Sequence, residues 1–136
     1  IERTVTEKVY SMFAGYTWFV QMMMNELFAL TAHGEWCKTE KIETARKNVI
    51  QTQDSLYREI LANLATKQKQ VLQAIAKERE AQGITSSAFI KKYNLPSASS
   101  VQAAVKGLME KDLITQTDGV YRVYDYFFAD WLTTEY

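Results

Sequence analysis

Ser97, Ser99, Ser100, Gln102 and Lys106 fall, with Ala103, on one side of a helical run whose other side carries Val101, Ala104, Val105, Leu108 and Met109. Hydroxyls and an ammonium placed in this way can bind phosphate oxygens, and a glutamine amide can pair with the donor and acceptor of an adenine edge. Lys91 and Lys92 lie just upstream, and Arg122 is the only cation after residue 111. Together these are the candidate DNA-contacting residues. The alternative is a plain solvated helix face.

Other chemistry is sparse. No Gly-rich phosphate loop and no dinucleotide fingerprint occurs, so no catalytic residue is assigned and no cofactor is expected in the chain itself. His33 and Cys37 lie four apart, but a zinc site needs about four ligands and the sequence has no other His or Cys. No metal is expected. Glu40 with Glu43, and Asp125 with Asp130, read as helix-start and surface charges rather than acid/base pairs. Met22, Met23 and Met24 read as core, or as contact with a missing domain, rather than as an exposed cofactor- or peptide-binding surface.

The elements that must hold the polar face run from 66 to 126. Thr66 can cap a helix with Val71, Leu72, Ile75 and Ala76 on one stripe. Gly83 breaks the pattern, and Thr85 or Ser86 can cap a short helix turning Ala88, Phe89 and Ile90 inward. Asn94, Leu95 and Pro96 stop it, because the residue before a proline leaves the α region. Ser97 then caps the third helix. After Asp112 the period becomes alternating, and Asp118-Gly119 between two β-favouring runs marks a tight hairpin. Three helices followed by a hairpin is the order of a winged helix-turn-helix.

Upstream, Thr4 with Glu7 forms a capping box for a helix with Val5, Val9, Tyr10, Met12 and Phe13 on its apolar face. Gly15 ends it, Thr17 can cap a buried helix to about Thr31, and Thr39 starts a long helical stretch with a break expected near residues 51–54. The fold class is therefore mainly α: a small helical bundle over 1–65, then a winged helix with a two-stranded hairpin over 66–136.

Charge excludes a global attraction to nucleic acid or an acidic membrane, since 16 Lys and Arg balance 16 Asp and Glu. Locally, residues 66–111 carry eight basic against three acidic side chains, whereas the remainder carries one against five. The lone cysteine and the lack of a signal-peptide pattern point to the cytoplasm, and residues 18–30 are too short and too polar to span a membrane. A start at Ile1 rather than methionine suggests a piece of a longer protein.

The order of motifs resembles the C-terminal part of bacterial and archaeal P-loop ATPases of the AAA+/STAND type, the archaeal ATPase family. Gly15-Tyr16-Thr17-Trp18-Phe19-Val20-Gln21 stands where the family has its lid motif, with Thr17 in place of the usual proline, and Thr39-Glu40-Lys41-Ile42 opens the following helix. Leu64-Ala65-Thr66-x-Gln68-x-x-Val71-Leu72 resembles the entry to the winged helix. Ser99-Ser100-Val101 and Leu108-x-x-Lys111-x-Leu113-Ile114 resemble its third helix and first wing strand. Tyr121-Arg122-Val123-Tyr124-Asp125-x-x-Phe128-x-x-Trp131-Leu132 resembles its end. The resemblance implies a non-catalytic lid and output region whose partner is an upstream ATPase core. ATP and magnesium are expected only in that core, and Gly15, Tyr16 and Thr17 are the nucleotide-proximal lid residues. The output is then duplex DNA binding or relay of nucleotide state. The alternative is a protein-docking or autoinhibitory module, to which the acidic wing and the aromatic tail (Tyr124, Tyr126, Phe127, Phe128, Trp131) are better suited.

Overall fold

Among residues 2–134, which the computed structural model describes, the chain forms eight helices and one antiparallel hairpin. α1 (Arg3–Met12), α2 (Thr17–Leu30) and α3 (Lys41–Thr52) make up one compact unit, residues 1–54. The second, residues 55–136, holds α4 (Asp54–Ala62) apart from its first residue, α5 (Thr66–Glu78), α6 (Ser87–Lys92), α7 (Ala98–Glu110), β1 (Ile114–Thr117), β2 (Val120–Val123) and α8 (Tyr126–Thr134). The expected class, mainly helical with a hairpin wing, is the class found.

The division precedes the junction expected at 65/66, and the reason is aromatic. The Tyr57 ring of α4 stacks on Phe128 with centroids 4.8 Å apart and meets Trp131 at 5.6 Å, which fastens α4 to α8.

In the first unit, α1 buries Val5, Val9 and Phe13, but Tyr10 is exposed and Met12 only half-buried. Glu2, not Thr4, is its N-cap residue, and Glu7 pairs with Arg3 at 2.9 Å instead of closing a capping box. Its end is a Schellman turn: Gly15 N–H donates to Tyr10 O and Ala14 N–H to Ser11 O, with both φ angles positive. At φ +73° Gly15 lies in the left-handed region that favours glycine, and a Cβ there would have to displace the exposed Tyr10 ring. α2 starts after Tyr16, with Thr17 as first helical residue rather than cap. The expectation of a buried helix is corrected too: α2 packs on α1 and α3 through Phe19, Met23 and Leu27, and those two neighbours cover one face only. Met22 and Met24 are half-buried. α3 begins at Lys41 rather than Thr39, and Lys41 Nζ donates to Leu30 O at 2.9 Å, tying its start to the end of α2. The helical stretch breaks at Gln53, within the expected interval.

In the second unit the N-cap of α5 is Ala65, whose N–H donates to Gln68 Oε1 at 3.0 Å; Thr66 is the first helical residue. Val71, Leu72, Ile75 and Ala76 are buried as expected. Beyond α5, Ala81 exchanges two 2.8 Å hydrogen bonds with Tyr121 and so lies against β2 as a one-residue third strand. Ser86 caps α6 through Phe89 N–H, but Ala88 faces solvent because so short a helix covers only Phe89 fully. Asn94 has φ +53°, and α7 follows with Val101, Ala104, Val105 and Leu108 buried. Met109, at the edge of that stripe, is 37% exposed. Asp118 and Gly119, with φ of +52° and +77°, make the type I′ turn that pairs Ile114 with Val123 and Thr117 with Val120. α8 closes the unit by burying Phe127, Phe128, Trp131 and Leu132.

Candidate interface of the third helix and wing

Ser97 Oγ accepts Ser100 N–H at 3.2 Å, the N-cap bond that starts α7. The same hydroxyl lies 3.0 Å from Ser100 Oγ and 3.2 Å from Ser99 Oγ, so the three serines form one hydrogen-bonded cluster at the helix start. Lys67 Nζ of α5 reaches Ser100 Oγ at 3.5 Å and adds a cation that the sequence reading did not select. Ser99, Gln102, Ala103 and Lys106 are exposed along the outer face, as the helical spacing requires. These residues are brought together.

The flanking cations behave differently. Lys92 Nζ donates to Glu78 Oε1 at 2.7 Å and sits 5.3 Å from the Tyr93 ring centre, while the Tyr93 hydroxyl donates to the same oxygen at 2.6 Å. Those hydrogen bonds hold the Glu78 carboxyl below, and the Lys92 ammonium above, their ordinary pKa. Lys92, whose side chain is 62% exposed, is thus held in a surface ion pair. Lys91 is exposed on α6. Arg122 lies over the Tyr126 ring, 4.6 Å from its centre, and Nη1 donates to Val123 O at 3.1 Å and Tyr124 O at 3.2 Å. The wing's cation is therefore turned back onto the base of the hairpin.

Behind this face, α8 is held by buried polar groups. Asp125 Oδ1 accepts Phe127 N–H at 2.8 Å and Phe128 N–H at 3.2 Å, which makes it the helix-start charge expected. Burial raises its carboxyl above the usual carboxylate range, against the lowering by those amides and by the Tyr57 hydroxyl bonded to it. Burial, and then Asp125, push the Tyr57 hydroxyl upward. Asp130, expected at the surface, is 7% exposed and paired with Arg79, because α8 lays this carboxylate against the end of α5. The tail rings Phe127, Phe128 and Trp131 are likewise interior, which removes them as a docking surface and leaves Tyr124 exposed. Arg58 sits 5.5 Å above Trp131.

In the first unit, Gly15, Tyr16 and Thr17 meet at the turn between α1 and α2, with Tyr16 and Thr17 exposed. Thr17 occupies the first helical position, the one at which proline is favoured. His33 is exposed and Cys37 buried. Among the described residues no group of three or more His, Cys, Asp or Glu could hold a metal ion, and no helix is long and apolar enough to cross a membrane.

No curated protein and no solved structure matches the chain. A family described as a probable winged helix domain matches residues 55–134, the span that includes α4 and ends with α8. With three helices, a type I′ wing and α8 packed behind them inside that span, the chain belongs to the probable winged helix domain family.

Proposed function

We propose that the chain is the non-catalytic lid and winged-helix region of a P-loop ATPase, and that its winged helix docks on protein to relay nucleotide state rather than reading DNA. The observation that carries the docking reading is the commitment of Arg122 to Tyr126 and two carbonyl oxygens, with Lys92 committed to Glu78. A wing without an available cation has little to offer a phosphate backbone, whose neutralisation supplies most of the affinity of such domains. What remains on the outer face of α7 is a mixed surface of hydroxyls, the Gln102 amide, Ala103, Lys106 and the edge of Met109. The ATPase parent is supported by the motif resemblance and by Thr17 at the helical position that suits the family's lid proline. In that arrangement ATP and magnesium belong to the core, and this region contributes no catalytic group.

The test is a salt titration of duplex DNA binding by the whole chain. Lys91, Lys106 and Lys67 are the cations left near the face, and each phosphate contact contributes about −0.9 to the slope of log affinity against log salt. Docking engages none of the three with phosphate, and so predicts no duplex binding at physiological salt and a slope no steeper than the roughly −0.9 of a single contact at low salt. A slope of about −3 or steeper, flattened by Lys106→Ala and with sequence preference relaxed by Gln102→Ala, would establish a DNA reader instead.

A further inference from the structure

The solvent face of α2 carries Trp18, Gln21, Asn25 and Phe28 at spacings of three, four and three residues. In chemical type the order is the same from either end: ring, amide, amide, ring. Trp18 is 56% and Phe28 77% exposed, large values for rings of this size. The one charged side chain of α2, Glu26, accepts Asn48 Nδ2–H at 3.0 Å on the side toward α3. The outer face is therefore uncharged along its whole length.

We propose that this face is the contact between two copies of the chain, packing α2 against α2 in antiparallel about a two-fold axis at the height of Met23. A two-fold interface requires that whenever residue i meets residue j, j also meets i. About this axis Trp18 meets the partner's Phe28 and Gln21 meets the partner's Asn25, each pair occurring twice. Hydrogen bonding carries the complementarity further. Gln21 Nε2–H donates to Asn25 Oδ1 at 3.0 Å within the helix, so each copy offers the Gln21 carbonyl oxygen as acceptor and the Asn25 amide as donor. The two-fold places each acceptor opposite the other copy's donor and closes a ring of four side-chain hydrogen bonds. No like charges meet.

The 14 residues of α2 extend about 21 Å. A strip of that length buries roughly 400–500 Å² per copy, below the ~800 Å² of a standard interface, so the contact belongs to the weak, transient class.

Sedimentation equilibrium of the whole chain from about 10 µM to 1 mM should show a monomer–dimer equilibrium in that range. Phe28→Glu and the double variant Gln21→Lys/Asn25→Lys should weaken it at least about tenfold, with helix content unchanged. Gln21→Lys/Asn25→Glu, which sets Lys against Glu twice across the axis, should retain it. Should a charged variant fail to fold, cysteine trapping still decides. A mixture of Gln21→Cys and Asn25→Cys chains should give the mixed disulfide in preference to either homodimer. A chain monomeric at 1 mM, a dimer indifferent to Phe28→Glu, or preferential Gln21→Cys homodimers would each overturn the proposal; the first would assign the face to an unlike partner. None of these readouts depends on what the winged helix binds.

Discussion

Replacing Trp131 with alanine should cost the winged helix most of its stability. The indole is 0% exposed, with centroids 5.6 Å from Tyr57 and 6.0 Å from Phe128 and with the Arg58 guanidinium 5.5 Å from the ring centre. A buried tryptophan removes about 150–250 Å² from water, worth roughly 4–6 kcal/mol at about 25 cal/mol per Å². Alanine retains only a small part of that, and truncating a buried Trp typically costs about 3–5 kcal/mol. The aromatic and cation contacts favour the upper end, so we expect about 4–5 kcal/mol. A unit of this size has only about 4–12 kcal/mol in total. Urea denaturation followed by far-ultraviolet circular dichroism measures the loss. In the unsubstituted chain the assignment of the transition can be checked by fluorescence, since Trp131 is the only tryptophan of the second unit. Trp131→Phe, which keeps a ring against Tyr57, should cost about half as much. A loss below about 1 kcal/mol in Trp131→Ala would refute the reasoning and show that α8 does not depend on this ring.

Asp125→Asn should change how stability responds to pH. Because burial raises the folded-state pKa of Asp125, its contribution to stability is fully present below the unfolded value and is lost as pH rises through the folded one. The stability of the Asp125→Asn variant relative to the unsubstituted chain should therefore grow from about pH 4 upward; equal urea midpoint differences at pH 4 and pH 7 would contradict it. Arg79→Ala takes the guanidinium away from a carboxylate that is 7% exposed, and should destabilise the second unit by about 1–3 kcal/mol in the same urea assay. The double variant with Asp130→Asn should recover part of that loss.

Local rules carried the sequence reading furthest in the second unit. Ser86 and Ser97 are caps whose partners lie three residues on, and Asp118-Gly119 needs only its own φ angles to make the turn. The errors fall where a distant group decides. Thr66 was displaced as cap because the Gln68 side chain reaches back to Ala65 N–H, and Asp130 is interior because Arg79, remote in sequence, pairs with it. For the candidate interface the helical period placed Ser99, Gln102 and Lys106 outward, but counting cations could not disclose that Arg122 stacks on Tyr126 or that Lys92 serves Glu78. In the first unit apolar content suggested burial, yet burial depends on how many neighbours a helix has, and α2 has them on one side.

Gly107 lies in the C-terminal half of α7 where a Cβ would meet the Gln68 side-chain amide, and that same side chain holds Ala65 N–H through its oxygen. Lys111 Nζ, at the far end of α7, donates to Asn63 O at 3.3 Å. One amide is thus wedged between two helix backbones while a second strut braces the connection ahead of α5. Sliding α7 along its axis would bring a larger side chain to the place of Gly107 and press on the Gln68 amide that caps α5. A displacement of α7 therefore reaches the start of α5 through one side chain, and the cap of α5 becomes a place where the state of α7 is felt.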